Sequence, residues 1–152
     1  MNIFKISEMV EFAIQIEKNG ESFYRESAKK IAHEKTKTLF IELANQEVEH
    51  KKIFESFLKK VENYNPPEAF NEDYFMYLRA YADTKIFNKE FSGINKPVEA
   101  LQFAINMEKD SILYYTESKN FVWDDDKKIL DNIIAEERKH FIRLSQLLKE
   151  QN

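Results

Sequence analysis

The sequence repeats itself, and the repeat limits what the chain can build. Phe12-Ala13-Ile14 and Glu17-Lys18 recur as Phe103-Ala104-Ile105 and Glu108-Lys109, an offset of 91 residues that also pairs Tyr24 with Tyr115, Glu26 with Glu117 and Ser27 with Ser118. At an offset of 90, Glu47-Val48-Glu49-His50 returns as Glu137-Arg138-Lys139-His140. A fold made of two copies of one unit follows. Helical periodicity runs through residues 7–32 and 36–62 in the first copy and 97–121 and 126–150 in the second. The links inside each copy are a few residues long, so each copy is expected to be an antiparallel helix hairpin.

Punctuation agrees with these spans. Pro66-Pro67 closes the second helix, Pro97 stands at the first turn of the third, and Asp124-Asp125-Asp126 supplies acid at the start of the fourth. The stretch 63–96 is far longer than a helix-helix turn requires and can cross a helix of about 40 Å. One such crossover between two hairpins is the ferritin-like topology, with the second and third helices parallel. The expected fold is therefore an all-α, ferritin-like four-helix bundle in a single domain over residues 1–152. Within the crossover, the aromatic-rich segment Tyr74–Tyr81 is expected to be a short helix acting as a hydrophobic plug or as a dimer contact.

Composition excludes most other chemistry. Two Gly and three Pro are too few for an all-β sandwich or a glycine-rich phosphate loop. With 23 basic and 27 acidic residues, a net charge of -4 and no long Lys/Arg run, nucleic acid is not an expected partner. No window approaches the roughly 20 apolar residues of a spanning helix, and no signal-peptide pattern opens the chain, so a cytoplasmic, membrane-free location is the default expectation. The absence of Cys removes thiolate metal sites and disulfides, and any metal must be held by His, Asp or Glu.

Read at steps of three and four, each helix presents an apolar seam broken at one level. The first seam runs Val10, Ala13, Glu17, Gly20, Tyr24, and the third Leu101, Ala104, Glu108, Ser111, Tyr115. The second runs Phe40, Leu43, Glu47, His50, Phe54, and the fourth Leu130, Ile133, Glu137, His140, Leu144. Four carboxylates and two imidazoles thus enter the middle of the core. Unneutralised, they would cost several kcal/mol each, roughly, and repel one another. Two divalent cations carry the matching charge, and one Glu from each of two helices plus Glu-x-x-His from the other two is a ligand set for a dinuclear carboxylate centre. Glu17, Glu47, His50, Glu108, Glu137 and His140 are the candidate metal ligands, for two Fe ions or for Mn or a mixed pair.

Other residues support this layer or lie outside it. Gly20 and Ser111 either leave room at the site or serve helix packing. Tyr24 and Tyr115 are the candidate catalytic residues, as hydrogen-bond donors to a ligand or as redox-active neighbours, with plain core packing as the alternative. Gln46 and Glu136 are candidates to hold the outer nitrogens of the two His. His33 is expected at the surface of the first hairpin turn, and Trp123 is expected to pack beside the last one.

The pattern Glu17, Glu47-x-x-His50, Glu108 and Glu137-x-x-His140, with a long crossover, resembles the rubrerythrin-like branch of the ferritin-like superfamily over nearly the whole chain. The resemblance implies a non-haem di-iron centre that reacts with hydrogen peroxide or dioxygen, with Tyr24 and Tyr115 beside it. Two departures stand out. Rubrerythrins proper carry a further Glu three residues after the helix-three ligand, where this chain has Ser111, so redox-linked iron movement is not implied. A rubredoxin-type domain with four Cys is also missing, so electrons are expected from an external donor protein. A di-iron oxidoreductase is the first expectation, and a homodimer the expected assembly. A ferroxidase or iron-detoxifying role is the alternative, and a metal-free helical interaction module is the third reading.

Overall fold

The computed structural model describes residues 6–62, 72–84 and 93–151. Five α-helices and one 3-10 turn account for the regular structure among them. The first, α1 (Ile6–Lys30), is followed after three residues by α2 (Glu34–Val61). A short α3 (Glu72–Ala82) precedes α4 (Pro97–Ser118), a 3-10 turn (Lys119–Phe121) and α5 (Asp124–Gln151). The expected helices all form, with ends shifted by at most three residues.

Several of the helix ends have a local cause. His33 is not a free surface residue: it is the N-cap of α2, and its Nδ1 accepts from the Thr36 backbone N–H at 3.3 Å. That imidazole does the work usually given to Ser or Asp at this position. Pro97 occupies the first turn of α4, as its fixed φ favours. The Ser118 hydroxyl donates back to the Tyr114 carbonyl at 2.7 Å, and the chain tightens there into the 3-10 turn before α5. Trp123 is 48% exposed, and its carbonyl accepts from the N–H groups of Asp126 and Lys127 to open α5 two residues early.

Reciprocal contacts establish the directions of the helices. Tyr24 meets Glu108 while Tyr115 meets Glu17, so α1 and α4 run antiparallel. Lys35 meets Glu150 and Lys60 meets Asp126, so α2 and α5 do the same. With both hairpins antiparallel, α2 and α4 are parallel, as the crossover requires. Where the described chain resumes, Gly93 lies against α1: Lys30 Nζ donates to its carbonyl at 3.3 Å, and the Ile94 N–H donates to Ser27 Oγ at 3.0 Å.

The aromatic segment is a helix, and its buried Phe75 and Leu78 close one end of the bundle, where the Phe75 and Phe121 rings meet edge-on at 5.8 Å. The plug reading therefore describes α3. Two apolar clusters fill the bundle. One, at the α3 end, includes Val10, Phe54, Tyr114 and Ile133, and the other includes Phe23, Phe40, Leu101 and Leu144. The polar layer lies between them.

Candidate metal centre

All six seam residues that interrupt the apolar pattern meet at this layer. Glu17, Glu47, His50, Glu108, Glu137 and His140 are each 4% exposed or less. Glu17 and Glu108 come from α1 and α4, and each Glu-x-x-His comes from α2 or α5, where a spacing of three puts both side chains on one helix face. Their donor atoms form two overlapping groups, Glu17-Glu47-His50-Glu137 and Glu47-Glu108-Glu137-His140, each with one atom per residue within 4.8 Å of the others. Glu47 and Glu137 belong to both. The His50 and His140 rings stack at 5.8 Å and 15°.

The atoms facing inward have no hydrogen-bond partners. Glu17 Oε2, Glu47 Oε1, His50 Nδ1, Glu108 Oε2, Glu137 Oε1 and His140 Nδ1 are buried without a hydrogen bond, one atom from each of the six residues. His50 Nδ1 lies 2.7 Å from Glu137 Oε1 without the alignment of a hydrogen bond. His140 Nδ1 is 3.5 Å from Glu108 Oε1 and 3.7 Å from Glu47 Oε1. Buried polar atoms are nearly always paired, so six orphans pointing at one space mark a place built for something else. Because carboxylate oxygens only accept, that guest must be a cation or protons.

The outer atoms are held. His50 Nε2 bonds Glu136 Oε2 and His140 Nε2 bonds Gln46 Oε1. Both partners present acceptor oxygens, so each Nε2 is the donor, and a neutral ring then has its Nδ1 lone pair aimed inward. The Tyr24 hydroxyl donates to Glu108 Oε1 and the Tyr115 hydroxyl to Glu17 Oε1, each at 2.6 Å, which leaves the Oε2 atom of both carboxylates for the centre. Burial, then the neighbouring carboxylates, raise both phenols well above 10, so they stay protonated donors. Gly20 and Ser111 differ. A Cβ on Gly20 would stand 3.1 Å from Glu47 Oε2, so the missing side chain makes room for that carboxylate. The Ser111 hydroxyl is tied to the Met107 carbonyl of its own helix at 3.0 Å.

Charge in the metal-free layer is balanced by protons. Burial alone would lower the His50 imidazole, but the facing carboxylates of Glu137 and Glu17 prevail and push it up to about 11. His140, opposed by burial in the same way, is raised to about 9 by Glu108 and Glu137. Burial followed by repulsion from Glu137 and Glu17 holds Glu47 well above the usual carboxylate range, and burial followed by Glu137 does the same to Glu108. Against burial, Glu108 and the two His hold Glu137 below that range.

The sequence matches the rubrerythrin family over residues 8–148. The chain belongs to the rubrerythrin family. A solved structure from Thermotoga maritima, described as a ferritin-like diiron-carboxylate protein, is 32% identical with a TM-score of 0.70, and the alignment covers 100% of this chain and 99% of that one. The bundle of two antiparallel hairpins is thus a ferritin-like fold. A comparison with curated proteins found no match. Among the described residues, no helix is long and apolar enough to cross a membrane. Sequence reasoning missed no residue of the inner layer. What it missed is the crossed wiring, in which each tyrosine serves the carboxylate of the opposite hairpin.

Proposed function

We propose that the six-residue layer holds a non-haem di-iron centre, and that the protein is an oxidoreductase reducing hydrogen peroxide, or dioxygen, to water with electrons from a separate donor protein. The observation that carries this reading is the set of six orphaned atoms, one from each candidate ligand, in two overlapping groups of four. Glu47 and Glu137, common to both groups, would serve both metal positions. Glu17 with His50, and Glu108 with His140, would complete one position each. Bound iron supplies two electrons and Lewis acidity.

The residues of the chain supply the remaining features. Tyr24 and Tyr115 fix the rotation of Glu108 and Glu17 through single charge-assisted hydrogen bonds. Gln46 and Glu136 fix both imidazole rings. The apolar clusters on either side exclude water, so the layer is held in a low-dielectric space. Peroxide reduction takes two electrons and two protons per molecule and gives two waters.

Stopped-flow oxidation of the iron-loaded protein tests the proposal. Faster oxidation by peroxide than by dioxygen, with turnover when a reductant is supplied, is the expected result. Oxidation that is no faster with peroxide overturns the peroxidase form. Release of ferric iron after each oxidation points to a ferroxidase instead.

A further inference from the structure

The internal repeat makes the layer nearly symmetric, and its departure from symmetry is chemical. The tyrosine contacts match, one phenol to each of Glu17 and Glu108 at the same 2.6 Å. The imidazole contacts do not. His50 donates to a carboxylate, Glu136, and His140 donates to an amide, Gln46, although positions 46 and 136 are equivalent in the repeat. A carboxylate behind a ligand imidazole draws the Nε2 proton toward itself and makes Nδ1 a stronger base, whereas a neutral amide only orients the ring.

We infer that the two positions of the centre are inequivalent, with Glu136 making the Glu17-His50 position the tighter one and Gln46 leaving the Glu108-His140 position the weaker one. The inference rests on the proposed metal centre and goes beyond it, because the candidate ligands are of the same kinds at the two positions. Glu136 is a positioning residue here, acting through His50. Partners of this kind are worth about 10- to 100-fold in metal affinity. The Glu136 side chain is 52% exposed, so solvent screening places the expected effect near the low end, at about tenfold.

The test titrates the metal-free protein with Co2+, followed by visible absorption and by metal content after gel filtration. Variants with one position disabled remove the coupling between two bound ions. Glu108→Ala keeps the position backed by Glu136, and Glu17→Ala keeps the one backed by Gln46. Co2+ is expected to bind Glu108→Ala about tenfold more tightly than Glu17→Ala, and adding Glu136→Gln to both is expected to abolish that difference. In the otherwise intact chain, Glu136→Gln narrows the gap between the first and second binding steps. Joining Gln46→Glu to Glu136→Gln restores the gap with the order of the positions reversed. Equal affinities in the two disabled variants, or a difference that Glu136→Gln leaves unchanged, overturn the inference while leaving the metal centre standing. Failure of the wild-type protein to bind Co2+ at all overturns both.

Discussion

At the scale of single residues, the organising fact is that inward atoms lack partners and outward atoms have them. A substitution should therefore act according to which side of that division it touches. Glu47→Ala removes a carboxylate common to both groups and is expected to cut bound metal sharply, while Glu49→Ala, two residues on and paired with Lys52 at the surface, is expected to leave it unchanged. Metal content of the purified variants checks this pair. Gly20→Ala separates two effects that usually travel together. It relieves the helix of a glycine, worth about 0.5–1 kcal/mol to the metal-free protein. The new Cβ also pushes the Glu47 carboxylate from a 3.1 Å contact, so metal affinity should fall while thermal stability without metal rises. Stability and affinity moving in the same direction would count against this account. All six inner residues were legible in the sequence because a carboxylate on an apolar seam is costly and needs a reason. Capping by His33 was not legible, because imidazole is outside the usual set of capping groups.

At the scale of elements, two kinds of contact position the layer: helix against helix, and the returning chain against α1. Helix spans were readable because proline, acidic first turns and seam periodicity all mark them, whereas the tightening after Ser118 depends on a side-chain bond to the Tyr114 carbonyl that no local pattern announces. Which helix faces which was readable only as far as the hairpins. Seams say which residues point inward but not which of them meet, so the exchange of tyrosines between hairpins had to be seen in three dimensions. Gly93 makes a prediction at this scale. A Cβ there would stand 2.5 Å from the Glu26 carbonyl carbon and 2.7 Å from Ser27 N, and these are backbone atoms that cannot swing aside. Gly93→Ala should lower the melting temperature and loosen the start of α4; faster hydrogen exchange of the Ile94 amide, bonded to Ser27 Oγ, reports it, and unchanged exchange would count against the close contact.

At the scale of the whole molecule, the buried layer couples stability to pH. Folded values of about 11 for His50 and about 9 for His140 exceed the ordinary 6.5, so these groups favour the fold fully below about pH 6.5 and lose that contribution as pH rises through 9 and 11. Glu47 and Glu108, raised above 4.5, weaken the fold once pH exceeds that value. Glu137, lowered, works the other way, and its contribution is lost in acid as pH falls below 4.5. Above about pH 5 the Glu137 contribution is already complete, and the metal-free protein should lose stability from there upward. A divalent ion displaces the same protons, so its binding strengthens over that range. The melting-temperature gap between Mn2+-loaded and metal-free protein should therefore widen from about pH 5.5 to about pH 8, and a constant gap would refute the proton exchange.

Each hairpin brings three members of one group of four and lends a single carboxylate to the other: Glu47 passes from the first hairpin to the second, and Glu137 returns the loan. Such reciprocity makes the centre a clasp. If the backbone were cut once between the hairpins, the apolar clusters that span both would still join the pieces, and a loaded clasp should hold them more tightly than one emptied by a chelator.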